Sequence, residues 1–148
     1  MNPTVIAILA VIVGGALTAL QGPTNARLSA AVASPVNAAL ISFAIGTVAL
    51  LALAAVLQTK PDMAATRALP PAAWLGGLYG AVFVVASAYA VPRLGVATTI
   101  VLMVAGQMML SLILDHFGFM GVAKQPITLS RLAGVAMLIG GVLLVRRG

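Results

Sequence analysis

Five long apolar runs, separated only by short polar loops, limit this 148-residue chain to a helical membrane protein. A hydrocarbon core about 30 Å thick is crossed by about 20 apolar residues in a helix. Runs of that scale fall at 3–22, 35–57, 72–91, 95–116 and 129–145. Membrane strands would alternate apolar and polar residues. These runs are apolar on every side, as lipid-facing or buried helices are. Hydrophobic residues make up 62% of the chain and charged residues 7%, against about 25% charged in soluble domains. So little charge cannot cover a water-exposed surface. The expected fold is therefore all-α, with one five-helix transmembrane domain over residues 1–148.

Local signals support these spans. The first run has no basic leader and no persuasive cleavage site, so it is expected to belong to the mature fold and not to a signal peptide. Ser34 followed by Pro35 predicts a helix start, with Ser as cap and Pro in the first turn. Pro92-Arg93 predicts the end of span three. Pro23 interrupts the end of span one and frees the carbonyl near Ala19, which is tolerated at membrane depth beside a cavity or a polar neighbour. Trp74 and Tyr79, near the start of span three, read as interfacial anchors.

Five spans place the two chain ends on opposite sides of the membrane. One side then collects Lys60, Arg67, Lys124 and Arg131, and the other Arg27, Arg93, Arg146 and Arg147, four against four. Orientation follows an excess of Lys and Arg on the cytoplasmic side. Without an excess both orientations are open, and so is an assembly that uses both. The net charge of +6 does not point to nucleic acid. The basic residues sit singly or as one pair beside apolar spans, where they meet anionic lipid headgroups.

Small residues recur at the four-residue spacing that lets helix backbones approach closely in a bilayer. Gly76 with Gly80 in span three and Ala136 with Gly140 in span five are the packing candidates, the latter as a contact between subunits. Polar residues within spans are costly and few. In span four, Thr99, Met103, Gln107, Ser111 and Asp115 recur every fourth residue and share roughly one face. In span one, Gln21 and Asn25 do the same. Gln21, Asn25, Gln107, Ser111, Ser42 and Tyr89 are the candidates for a substrate cavity. The competing reading of the amides is interhelical hydrogen bonding that only joins helices. Asp115 and His116 end span four, either as a proton or cation site or as an interfacial ion pair with Arg131 or Lys124.

Several functions lack the residues they need. One His and no Cys make no recognisable zinc site, and no nucleophile–base constellation or phosphate loop is present. An enzyme is not expected, nor is a metal or other cofactor. No carboxylate lies mid-span, where a proton-coupled exporter of organic cations would carry one.

The segments "QGPTNARL" at 21–28, "SPVNAALISFAIGTVALL" at 34–51, "WLGGLYGAVFV" at 74–84, "PRLGVATT" at 92–99 and "GQMMLSLILDHFGFMG" at 106–121 carry a family resemblance. Together they resemble the YdcZ-like (DUF606) family of the drug/metabolite transporter superfamily. The resemblance implies a five-helix half of a ten-helix, inverted-repeat transporter in the bacterial inner membrane. Members of that family occur as single dual-topology chains, as oppositely oriented pairs and as fusions, which suits the charge tie. The resemblance supplies no substrate and no assigned site residues. The expected function is transport of a small polar or neutral metabolite by an antiparallel homodimer with alternating access. The alternatives are a small-multidrug-type exporter of cationic compounds and a scaffold or accessory subunit with no cavity.

Overall fold

The first two apolar runs begin at residues that satisfy or remove the free N–H groups of a helix start. The computed structural model describes residues 2–147, all-helical with no strand among them. Helix α1 covers Pro3–Ala31, with the Asn2 side chain accepting from the Thr4 N–H at 2.9 Å. Helix α2 covers Pro35–Val56, and Ser34 Oγ accepts from the Asn37 N–H at 3.2 Å, as the Ser-Pro pair predicts. Helix α3, Met63–Arg67, is a single turn in the longest loop, capped by Asp62 through the N–H groups of Ala64 and Ala65. A 3₁₀ turn at Pro71–Leu75 leads into α4, Gly76–Leu94. Helix α5 covers Val96–Phe117 and α6 covers Leu129–Arg147.

Four helical segments are long and apolar enough to cross a membrane: Pro3–Ala31, Pro35–Val56, Pro71–Leu94 and Val96–Phe117. The fifth apolar helix, Leu129–Val145, is shorter, about 25 Å at 1.5 Å per residue. Large apolar side chains lie outward, with Val56 79% and Leu144 73% exposed. The buried apolar positions are instead small or branched, such as Ala38, Ala39, Val84, Ala88, Ala105 and Val135. Small residues inside and large ones outside is the pattern of helices solvated by lipid, where close approach and not water exclusion holds the bundle.

Span one differs from its expected end. The helix does not stop near residue 22 but passes through Pro23 to Ala31. Proline removes one helical N–H without forcing the chain to leave the helix, and two hydroxyls reinforce the neighbouring turns. Thr18 Oγ1 donates to the Gly14 carbonyl at 2.9 Å and Thr24 Oγ1 to the Leu20 carbonyl at 2.8 Å. Arg27 is therefore on the helix and not in a loop. The α1–α2 turn closes with Ser34 N–H donating to the Ser29 carbonyl at 3.1 Å, across Ala33 at φ 53°. That left-handed position usually carries glycine.

The chain divides into two compact units, Met1–Arg93 and Leu94–Gly148. In the first, α1 and α2 form an antiparallel pair and α4 packs on α1 through Gly22. A Cβ at Gly22 would lie 3.0 Å from Ser87 Oγ and 3.2 Å from Val91 Cγ2. Gly80 of α4 meets the Phe43 ring of α2. In the second unit, α5 and α6 form a hairpin with Ala105, Leu112, Val135 and Val142 buried. Gly118 ends α5 at φ 67°, and its N–H returns to the Leu114 carbonyl.

Candidate functional site

In the first unit, helical spacing on α1 and α2 brings two of the cavity candidates to one place. Gln21 and Ser42 line a groove of about 200 Å³ with Phe43, Gly46, Thr47 and Leu50. Gln21 is exposed and Ser42 half-buried. Thr47 turns its hydroxyl back to the Phe43 carbonyl at 2.8 Å, so the amide of Gln21 and the hydroxyl of Ser42 are the groups the groove can offer to a ligand. They form a neutral hydrogen-bonding surface without fixed charge.

Asn25 lies one helical turn beyond, on the face of α1 that carries Gly22. It is 2% exposed, and its Nδ2 has no hydrogen-bond partner. Leaving a buried amide donor unsatisfied costs about 1–3 kcal/mol, so Asn25 is the most expensive polar placement in this unit. Ser87 of α4 is 8% exposed and faces the same α1 surface at Gly22. Reasoning from the sequence passes over Ser87, because one serine in an apolar run carries little signal. Its spacing from Val91 on the same helix face was the available clue.

Tyr89 occupies a different setting. The Arg93 guanidinium lies 3.6 Å over its ring, and Arg93 Nη1 donates to the Tyr89 carbonyl at 2.6 Å. Tyr89 lines an open apolar groove of about 500 Å³ between the first turn of α2, at Pro35 and Val36, and α4 from Ala81 onward. This groove is separate from the one holding Gln21 and Ser42.

The span-four candidates belong to the second unit. Gln107 is exposed and makes no hydrogen bond among the described residues. Ser111 is half-buried and donates to the Met108 carbonyl at 3.0 Å. Thr99 is buried and satisfied by the Gly95 carbonyl at 2.7 Å. At the end of α5, Asp115 Oδ2 lies 3.3 Å from Arg131 Nη1. That nitrogen has no aligned hydrogen bond, so the contact is an ion pair by proximity. Arg131 Nη2 also donates to Gln125 Oε1. The loop is tied back twice more, by Gln125 N–H to the Asp115 carbonyl at 2.8 Å and by Ile127 N–H to His116 Nδ1 at 3.3 Å. Asp115, His116 and Arg131 thus form a clasp between α5 and the start of α6. Gln125, the fourth member, is absent from the sequence candidates, since a loop glutamine gives no periodic signal.

The packing candidates divide. Gly80 makes a contact with Phe43, whereas Gly76 and Gly140 have open space where a Cβ would stand. Ala136 is exposed. Among the described residues no cluster of three His, Cys, Asp or Glu could hold a metal ion.

Neither curated proteins nor solved structures give a match to the chain. A family model does match, over residues 6–144, and its description is "Putative inner membrane exporter, YdcZ". The match takes in α2, α4, α5 and nearly all of α1 and α6, together with both the Gln21–Ser42 groove and the clasp. Apolar helices of membrane-crossing length and a family match over almost the whole chain converge: this multi-pass membrane protein belongs to the YdcZ family of membrane transporters.

Proposed function

We propose that the protein is a five-span half-transporter that exports a small polar or neutral metabolite from a bacterial cell. It acts as an antiparallel homodimer of dual-topology chains. The observation that carries the substrate class is the groove where Gln21 and Ser42 meet. Amide and hydroxyl groups at membrane depth bind a neutral polar solute and offer no counter-charge to a cation. Residues 129–145 supply the fifth span, whose short length is accommodated by local thinning of the bilayer or by association. Two copies inserted oppositely form an inverted repeat around a shared centre, and alternating access follows from rocking one against the other. An isologous interface closes such a pair, and the open space at Gly140 beside exposed Ala136 suits a close helix approach there. In this reading Gln107 of α5, exposed and without a hydrogen bond among the described residues, finds its partner in the assembled dimer.

Support for a neutral substrate over a cationic one comes from the acids. Asp115 lies against Arg131 and Asp62 caps α3, and the sequence contains no other carboxylate side chain. The deciding experiment forces topology. Adding two Lys to either end of the chain biases insertion, and each biased variant alone is expected to lose transport that co-expression of both restores. Full transport by one fixed orientation would refute the antiparallel dimer. Within the site, Gln21→Ala is expected to lower transport of the exported solute at least tenfold, read in proteoliposomes.

A further inference from the structure

The apolar groove between α2 and α4 has a cation fixed at its rim. The lining from Ala81 to Tyr89 runs along α4 for about 12 Å at 1.5 Å per residue, with Pro35 and Val36 of α2 on the other wall. Tyr89 ends it, and the Arg93 guanidinium lies 3.6 Å over the Tyr89 ring, held there by the Tyr89 carbonyl. An arginine at a helix end ordinarily extends to water on a flexible stem. Here stacking and one hydrogen bond hold the guanidinium against the protein. One of its five N–H donors is used by the carbonyl, which leaves donors in a planar fork that matches a phosphate.

No carboxylate of the chain serves this guanidinium. The two acidic residues are Asp62, which caps α3, and Asp115, which lies against Arg131. Among the described residues the Asp115–Arg131 pair is the one salt bridge. The remaining donors of Arg93 are thus open to an anion from outside the chain. Arg93 stands at the end of a segment long and apolar enough to cross a membrane, where basic residues of spanning helices meet lipid headgroups, and the groove runs from it along the apolar length of α4. Its volume of about 500 Å³ falls in the range of sites for small organic ligands.

We infer that the α2–α4 groove is a binding site for an anionic phospholipid, with the phosphate on Arg93 and an acyl chain along Val82, Val85 and Ala86. The site lies outside the Gln21–Ser42 groove and is independent of the transport reading. A lipid held there occupies the face that opens between α2 and α4, so retention of lipid and helix packing are linked at this position.

The test uses the purified full-length protein in neutral detergent. Retention of added phosphatidylglycerol and phosphatidylcholine is read by native mass spectrometry, and stabilisation by thermal melting. Wild type is expected to retain phosphatidylglycerol in preference to phosphatidylcholine. Arg93→Gln should lower that preference about fivefold, which corresponds to the ~1 kcal/mol of one basic residue near an anionic surface. Arg27→Gln removes the same charge elsewhere on the surface and should leave the preference unchanged. Ala86→Leu fills the groove and should lower retention of both lipids. Should Arg93→Gln not purify as a folded protein, Arg93→Met, which keeps an unbranched aliphatic stem and removes the charge, asks the same question. Unchanged preference in Arg93→Gln or Arg93→Met would overturn the site, as would an equal loss in Arg27→Gln. Glycerol 3-phosphate that stabilises as well as phosphatidylglycerol would reduce the site to a phosphate contact without a lipid chain. A change of oligomeric state in Ala86→Leu with lipid retention intact would assign the groove to a second copy of the chain.

Discussion

The two units distribute their polar contacts differently along their helices. In Met1–Arg93 the costly groups lie along the helices, with Gln21 and Ser42 in a groove and Asn25 buried without a partner for Nδ2. In Leu94–Gly148 the polar contacts concentrate at one end, where Asp115, His116, Gln125 and Arg131 tie α5 to the start of α6. End contacts near headgroups need no special task. Unsatisfied amides between helices work against packing and persist where the protein uses them. The first unit groups two of its polar side chains in one groove, and the second shows how a hairpin is fixed at its end.

The comparison breaks most directly at Gly22. Leucine there would drive its Cβ to 3.0 Å from Ser87 Oγ and its remaining atoms into Val91. Overpacking of this kind costs about 1–3 kcal/mol, and a clear drop in melting temperature in detergent is expected. An unchanged melt would show that α4 does not pack on α1 in solution. Next in size is Ala33→Gly, which relieves a left-handed residue at φ 53° and should stabilise by about 1 kcal/mol, seen as a higher melting temperature. No stabilisation would mean that the α1–α2 turn is not closed this way.

The clasp should matter less than the helix contact. Asp115 and Arg131 side chains are 34% and 30% exposed, so solvent and salt screen them. Asp115→Ala is expected to cost under ~1 kcal/mol, an effect that shrinks at high salt. A large, salt-independent loss would move Asp115 from the clasp into the functional site. The smallest effect is expected at Gly80→Ala, where the new Cβ meets only the far end of the Phe43 ring at 3.3 Å. A loss as large as that of Gly22→Leu would show that α2 and α4 press together as tightly as α1 and α4.

Much of the secondary structure was legible in advance. Ser34-Pro35 announced α2 through a cap and a fixed φ, and hydropathy located the long apolar helices. The end of span one was open in the sequence, because proline at residue 23 fits either a stop or a kink, and Thr18 and Thr24 secure the turns around it in a helix that runs on to Ala31. The site was legible only in part. Gln21, Ser42 and Asn25 stood out as polar residues in apolar runs, but Ser87 and Gln125 did not. Tyr89 was open to two readings, and Arg93 resolves its local setting by covering the ring.

What the sequence determined by itself is a set of apolar helices and their caps. These follow from local rules: hydrogen bonding at helix ends, the cost of polar groups in lipid and the length of chain that crosses it. Which polar groups meet was decided by tertiary structure alone. Lipid tails are as apolar as leucine, so helices that are apolar all round carry no stripe to mark the face toward a neighbour. Only packing on small residues such as Gly22 and Ala38 sets that face. It sends Gln21 to Ser42, buries Asn25 and leaves Arg93 over Tyr89 at the mouth of an apolar groove.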